Sequence, residues 1–119
     1  MSERETQNAI LAALARQTLL FRSNAGKWFN VPNPCPACAA KGRWIQGMPA
    51  GAPDLMGIVR GTGAGLAVEV KSDTGKQRPE QRDFEAAWTR SGGIYVLARS
   101  AEEAIASVSA SLARPESPS

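Results

Sequence analysis

Histidine is absent from the 119 residues of this chain, and its absence excludes several classes of enzyme. Nucleases built on a histidine and a metal, histidine-dependent phosphodiesterases, Ser-His-Asp hydrolases and most zinc enzymes all require an imidazole. Any catalysis by this chain must therefore use carboxylates, lysine, a metal ion and water.

Cysteine is scarce, with only Cys35 and Cys38 in a Cys-x-x-Cys arrangement. This spacing is half of a zinc knuckle, but a tetrahedral zinc site needs four ligands, and the chain has no further cysteine or histidine. A redox role would need a thioredoxin-like context, which is missing. Two interpretations stay open: reduced thiols in a structural loop, or a zinc ion that bridges two subunits.

Long apolar runs are also absent, so we expect no membrane-spanning helix. The segment Met1 to Glu5 is polar and acidic, where a signal peptide would be basic and then apolar, and we expect a cytoplasmic location. The net charge is +3, with seven basic and three acidic residues in positions 1–60. This balance fits a polyanionic partner without requiring one.

The length is that of one domain, and the pattern predicts a single domain over residues 1–113 followed by a flexible tail at 114–119. Within it, residues 30–42 are rich in proline, asparagine, cysteine and alanine and are expected to form an irregular loop.

The most informative pattern is a predicted hairpin that ends in charged residues. Two short apolar runs, 55–60 and 66–70, are joined by the glycine-rich link 61–65. Pairing across this link brings Asp54, which follows Pro53, opposite the end of the second strand, where Glu69 and Lys71 share one face. Burying unpaired charges is costly, and a bound divalent cation would explain two acids at this place.

The flanking segments predict helices and further strands. Ser2 to Glu5 forms an S-x-x-E capping box that opens a first helix. A helix that begins at Pro79 places Gln81, Phe84 and Trp88 on one inward face. The apolar run 94–98 predicts a strand, which we expect to be central in the sheet. A last helix follows, and one face of it is lined by Ala101, Ile105, Val108 and Leu112.

This order of elements predicts an α/β fold with a central mixed sheet flanked by helices. The chain resembles the PD-(D/E)xK nuclease superfamily, and within it the small stand-alone VRR-NUC domain proteins of phages and bacteria. The resemblance spans residues 3–108 and rests on these segments: Arg22-x-Asn24-x-Gly26, Gly51-Ala52-Pro53-Asp54-Leu55, Val68-Glu69-Val70-Lys71, Pro79-Glu80-Gln81-Arg82-Asp83-Phe84 and Gly92-Gly93.

The resemblance implies a restriction-endonuclease-like α-β-β-β-α-β core and a Mg²⁺- or Mn²⁺-dependent endonuclease that hydrolyses DNA phosphodiester bonds. It further implies a homodimer that acts on branched DNA such as four-way (Holliday) junctions, in a bacterial or phage-infected host cell. Two alternatives remain: a non-catalytic module that binds DNA structures, and a nuclease that acts on another nucleic-acid substrate.

The chemistry assigns a role to each site residue. Asp54, Glu69 and the backbone carbonyl of Val70 are oxygen ligands of the kind that Mg²⁺ prefers. Lys71 is suited to orient or deprotonate a water molecule or to stabilise the charged phosphate. Gln81 is suited to hydrogen-bond the lysine or the water network. Glu5 is either a further catalytic or metal-binding acid or only part of the helix cap, and Glu3 is an alternative outside the cap pattern.

Four residues of the first half are candidates for contacts with DNA phosphates. They are Arg22, Asn24, Lys27 and Arg43. Aromatic residues flank the same region and either stack on unpaired bases at a branch point or pack within the protein. They are Trp28, Phe29 and Trp44.

Overall fold

The computed structural model describes residues 2–23, 27–30, 43–46 and 48–113 of the chain. Helices and strands follow one another in the order α-β-β-β-β-β-α-β-α. Their bounds are α1 (Glu3–Ala13), β1 (Thr18–Arg22), β2 (Lys27–Asn30), β3 (Arg43–Gln46), β4 (Leu55–Val59), β5 (Gly65–Val70), α2 (Pro79–Arg90), β6 (Ile94–Ala98) and α3 (Ala101–Leu112).

Four strands form a mixed sheet in the spatial order β1-β4-β5-β6. The pairs β1–β4 and β4–β5 are antiparallel, and the pair β5–β6 is parallel, with α2 as the crossover. The predicted α/β class, a mixed sheet flanked by helices, is confirmed. A second, two-stranded antiparallel sheet pairs β2 with β3. The strand at Arg43–Gln46 agrees with the sequence, whereas β2 and its pairing with β3 were not predicted.

The core lies on one face of the sheet, beneath α1 and α3. Leu66, Val68 and Val70 of β5 are fully buried there and belong to one cluster with Ile10 of α1 and Val108 of α3. Because side chains alternate along a strand, Gly65, Ala67 and Glu69 face the other way, towards α2. Burial on both faces explains why β5 is a continuous apolar run with one acid in it.

Serine side chains cap the starts of α1 and α3, at Ser2 as the S-x-x-E pattern predicts and at Ser100 in the same way. Ser2 Oγ accepts a hydrogen bond from the Glu5 N–H at 3.1 Å, and Ser100 Oγ accepts one from the Glu103 N–H at 3.1 Å. Pro79 occupies the first turn of α2, where a missing N–H costs nothing.

One expectation about the fold is wrong. The strand β6 lies at the edge of the described sheet and not at its centre. Its residues are apolar because helices cover its faces, and not because strands flank it on both sides. In α3, Ala104 and Val108 are buried, whereas Ile105 and Leu112 are 38% and 41% exposed. The small side chain of Ala104 lets the helix approach the sheet closely, and a pattern based on large apolar residues misses this.

Parts of the predicted organisation lie outside the described residues: positions 31–42, with Cys35 and Cys38, and the tail 114–119. None of the helices in the described part of the chain is long and apolar enough to cross a lipid bilayer.

Candidate functional site

The candidate site forms where β4 begins and β5 ends. The register pairs Leu55 with Val68, which places Asp54 beside the last residues of β5. Asp54 Oδ2 accepts a hydrogen bond from the Val70 N–H at 2.8 Å. This side-chain bond continues the hydrogen bonding between β4 and β5 beyond the last paired residues. The predicted convergence of Asp54 with the Glu69–Lys71 end of the hairpin is therefore present in the structure.

Glu69 is the most unusual residue of the site, because its carboxylate is buried with a side chain only 4% exposed. Oε1 accepts a hydrogen bond from Gln81 Nε2 at 2.9 Å and lies 3.7 Å from Lys71 Nζ. Oε2 is also buried but has no hydrogen-bond partner among the described residues. A buried polar atom without a partner is rare in folded proteins, and a water, a proton shared with Asp54 or an ion can satisfy it.

The electrostatics of Glu69 lead to the same conclusion. Burial raises the pKa of Glu69 from its ordinary value to about 8, and the neighbouring Asp54 carboxylate is the next largest cause. Lys71 and Arg78 act in the opposite direction without cancelling the rise in pKa. The site therefore has an excess of negative charge for its degree of burial, and either a proton or a cation must offset it.

A divalent cation fits this donor set. Mg²⁺ and Mn²⁺ prefer carboxylate, carbonyl and water oxygens. The unpartnered Glu69 Oε2 and the Asp54 carboxylate are two such donors, and the Val70 carbonyl is the third that the sequence predicts. Since the Lys71 N–H donates to Ala98 O at 3.0 Å towards β6, alternation along the strand directs the Val70 peptide groups towards the β4 side, where Asp54 lies.

Lys71 stands at the point where β5 passes into a tight turn. Its side chain is 13% exposed, and its Cδ lies 3.5 Å from the position that a Cβ would take at Gly75. The Gly75 N–H donates to Ser72 Oγ at 3.1 Å. Arg99 Nη1 donates to the carbonyl oxygens of Gly75, at 3.0 Å, and of Ser72. The turn that follows Lys71 is thus stabilised by Arg99, the residue directly after β6.

Gln81 connects the first turn of α2 to the carboxylate pair. Its side chain is 3% exposed, as the predicted inward face requires. Besides donating to Glu69, it accepts a hydrogen bond at Oε1 from the Arg78 N–H at 2.8 Å, which caps the helix. Both polar ends of the amide are therefore engaged, which fixes the rotamer and orients the Glu69 carboxylate.

The loop that leads into Asp54 packs directly on the same helix turn. Gly51 has φ +87°, and a Cβ at this position would lie 2.3 Å from the Glu80 carbonyl oxygen. Only glycine allows this approach without strain. The close contact joins the loop that carries Asp54 to the helix that carries Gln81.

The structure does not bring Glu5 to the carboxylate pair. The Glu5 side chain is exposed, and its N–H is used in the Ser2 cap. Among the described residues, no three acidic or cysteine side chains are grouped closely enough to hold a metal together. Glu3 lies elsewhere: it lines a cavity of about 480 Å³ that Lys71 and Thr6 also line. Of the two acids considered on α1, Glu3 is the one that shares a surface with the lysine.

The described residues among those expected to contact DNA lie on different strands. Arg22 is engaged with α1, since its Nε donates to Gln7 Oε1 at 3.2 Å and its Nη2 donates to Asn8 Oδ1. Lys27 and Arg43 begin the two strands of the β2–β3 hairpin, so antiparallel pairing places them at opposite ends of it. Asn24 lies outside the described residues.

Three residues have roles at the site that the sequence did not assign: Gly51, although it belongs to a motif of the resemblance, Arg99 and, as a neighbour of Glu69, Arg78. The signal for Gly51 was its place two residues before Pro53. For Arg78 it was the following Pro79, which marks residue 78 as the helix cap. Arg99 has no local signal, because it acts through a turn 24 residues earlier in the chain.

Comparison with known proteins finds similarity to solved structures and no match by sequence. No protein-family model and no curated protein matches the chain. A solved structure described as a VRR_NUC domain matches with a TM-score of 0.60 and 17% sequence identity, over 90% of this chain and 94% of that chain. The chain therefore has the fold of a VRR_NUC domain, as the order of motifs predicted. At this identity the likeness concerns the fold, and the activity must be argued from the site.

Proposed function

We propose that this protein is a Mg²⁺- or Mn²⁺-dependent endonuclease that hydrolyses DNA phosphodiester bonds. The observation that carries the proposal is the buried Glu69 carboxylate beside Asp54, with one oxygen unpartnered among the described residues and a lysine 3.7 Å from the other. A binding module has no need for two carboxylates at a site that faces phosphates, since they repel the ligand. With a cation between them, the same carboxylates favour a polyanion.

The mechanism follows from what each side chain can do. Asp54, Glu69 and the Val70 carbonyl would hold the cation, which lowers the pKa of a bound water and offsets charge in the transition state. Lys71, at the end of β5, would orient the attacking water, take part in its deprotonation or stabilise the phosphate oxygens. Gln81 keeps the Glu69 carboxylate in one orientation.

We further propose a structure-selective substrate, branched DNA such as a four-way junction, on the strength of the fold and the sequence motifs. The chain is mildly basic, with a net charge of +3, which suits a phosphate backbone.

The test is incubation of the purified protein with labelled four-way junction, flap, single-stranded and linear duplex DNA in Mg²⁺, Mn²⁺ or EDTA. Metal-dependent cuts near the branch support the full proposal. Cleavage of all substrates alike retains the nuclease and removes the structure selectivity, and RNA run in parallel detects another substrate class. Tight binding without turnover in any metal favours a non-catalytic DNA-structure module.

We also propose a homodimer, since two active sites suit a substrate with paired strands to cut. The surface for it is the outer face of β1 and β4, where Leu19, Phe21 and Ile58 are 55%, 57% and 43% exposed. Leu19 and Ile58 are register partners, so the three side chains form one uncharged patch. A two-fold axis apposes the same patch of both copies, and an uncharged apolar patch is complementary to itself.

Sedimentation of the wild type and of Phe21→Ser tests the dimer. We expect the variant to dissociate, whereas Ile105→Ser, at another exposed apolar residue on α3, should leave the assembly unchanged. A monomeric wild type, or a Phe21→Ser variant that sediments as the wild type does, contradicts this assignment.

A further inference from the structure

Arg78 occupies a position that local physics disfavours for arginine. It is the N-cap residue of α2, where side chains that accept a hydrogen bond are preferred. The amino end of a helix also carries partial positive charge, so a cation there is repelled. Departures from local preference of this kind tend to occur at functional sites.

The backbone of Arg78 is held rigidly without help from its side chain. Its N–H donates to Gln81 Oε1 at 2.8 Å, and its carbonyl accepts from the Gln81 N–H at 3.0 Å and the Arg82 N–H at 3.1 Å. Gln81 in turn donates to Glu69 at 2.9 Å. Two hydrogen bonds therefore connect the main chain of Arg78 to the buried carboxylate, and Pro79 restricts the backbone on the other side.

The side chain of Arg78 remains available. Arg78 is exposed, and its guanidinium forms no ion pair with a described residue. Arg22 and Arg99, by contrast, are bound to protein oxygens. The positive charge of Arg78 nevertheless lowers the pKa of Glu69. Arg78 thus combines a fixed backbone, a charge near the site and a side chain without a partner acid.

We propose that the guanidinium of Arg78 binds a backbone phosphate of the nucleic acid beside the Asp54–Glu69 site. The planar guanidinium can donate two parallel hydrogen bonds to phosphate oxygens, which lysine cannot do. Gln81 then has a second function, because it sets the distance between the phosphate-binding residue and the carboxylates. This assignment rests on the proposed nuclease function.

The test compares Arg78→Ser with Arg90→Ser. Serine at position 78 removes the charge but adds a preferred N-cap, so α2 should be at least as stable as in the wild type. Arg90 is exposed at the other end of the same helix, and its replacement removes the same charge about 18 Å away. Each protein is assayed for kcat/KM on DNA in Mn²⁺, for DNA affinity in Ca²⁺ at several salt concentrations, and for thermal unfolding.

We expect Arg78→Ser to keep its melting temperature and to lose at least about tenfold in kcat/KM. Its plot of log affinity against log salt should become shallower by about 0.9, the value for one lost phosphate contact. Arg90→Ser should stay within about threefold of the wild type in kcat/KM, with a nearly unchanged slope.

Other outcomes overturn the assignment or separate it from the nuclease proposal. Wild-type kcat/KM and salt slope in Arg78→Ser, or equal losses in both variants, refute a specific phosphate contact at residue 78. A wild type that binds DNA without cleaving it refutes the nuclease, while the salt slopes still decide on Arg78. A wild type that binds no nucleic acid refutes both.

Discussion

Gln81 Nε2 donates a hydrogen bond to Glu69 Oε1 at 2.9 Å, and this contact joins the first turn of α2 to the end of β5. It satisfies one oxygen of a buried carboxylate and leaves the other without a partner among the described residues. The arrangement is costly for a protein without a ligand, because the ionised form of Glu69 is buried next to Asp54. Its cost is explained if a cation binds there.

The stability of the metal-free protein should fall as the pH rises through this site. Because the folded-state pKa of Glu69 is raised to about 8, the folded state retains a proton that the unfolded state loses near the ordinary value of 4.5. This contribution to stability is complete below pH 4.5 and is lost as the pH rises towards 8. Glu69→Gln should remove it.

Thermal unfolding in EDTA at several pH values between 5 and 8.5 measures this effect. We expect the melting temperature of the wild type to fall relative to that of Glu69→Gln across the range, so that the variant is the more stable at pH 8.5. Parallel curves for the two proteins would show that Glu69 ionises normally and would contradict the buried-charge account.

Metal affinity should depend on pH for the same reason. Binding of Mn²⁺ requires an ionised Glu69, so below a pKa of about 8 a proton must leave when the metal binds. Affinity should rise about tenfold per pH unit up to this pKa and level off above it. Titration at pH 6, 7 and 8 in buffers of different ionisation enthalpy measures both the affinity and the proton released. A pH-independent affinity with no proton release is the contrary result.

Lys71→Met should separate metal binding from catalysis. The ammonium group 3.7 Å from Glu69 repels a cation but also lowers the pKa of Glu69. Mn²⁺ binding is therefore compared at a pH where Glu69 is ionised in both proteins, and there it should be retained or strengthened. Cleavage should fall by about 100-fold or more, since the group that acts on water or phosphate is lost. Lys76→Met, at an exposed lysine of the next loop, is the matched control and should cleave normally. Loss of Mn²⁺ binding in Lys71→Met would assign the lysine a structural role instead.

Gly51 and Gly61 form a matched pair that tests the packing of the Asp54 loop. Both have positive φ, +87° and +89°, but a Cβ at Gly51 meets the Glu80 carbonyl oxygen at 2.3 Å, whereas Gly61 has nothing within 4 Å. Gly61→Ala should cost about 1 kcal/mol of unfolding free energy from backbone strain alone. Gly51→Ala should cost roughly 3 kcal/mol and also slow cleavage, because the clash displaces the loop that carries Asp54.

Urea denaturation of both glycine variants, with cleavage rates measured under native conditions, checks this comparison. If Gly51→Ala is no less stable than Gly61→Ala and cleaves as fast, the loop is not held against α2 as the structure shows.

The site could be predicted from the sequence where its geometry depends on strand alternation and hairpin register. Spacing alone placed Asp54 opposite the end of β5 and placed Glu69 and Lys71 on one face. Helical periodicity placed Gln81 on the inward face of α2. These are short-range regularities, and the structure shows each of them.

The remaining features depend on tertiary packing, for which the sequence has no local signal. The exposed charge of Arg78 has no periodicity, and its closeness to Glu69 arises only when α2 docks on the sheet. From the sequence, Glu5 fitted both a helix cap and a catalytic acid. The orientation of α1 in the structure exposes the Glu5 side chain and places Glu3 on the surface that Lys71 also lines. The edge position of β6 was missed because burial by helices resembles burial within a sheet.

The most direct test of the central claim is calorimetric titration of Mn²⁺ into the wild type and Glu69→Gln at pH 8.5. The claim is that Asp54 and Glu69 hold a divalent cation, and Glu69→Gln keeps the volume and the Gln81 contact while removing the charge. We predict saturable binding to the wild type that is absent from Glu69→Gln under conditions where both proteins are folded. Equal binding by the two proteins, or no binding to the wild type, would contradict the account.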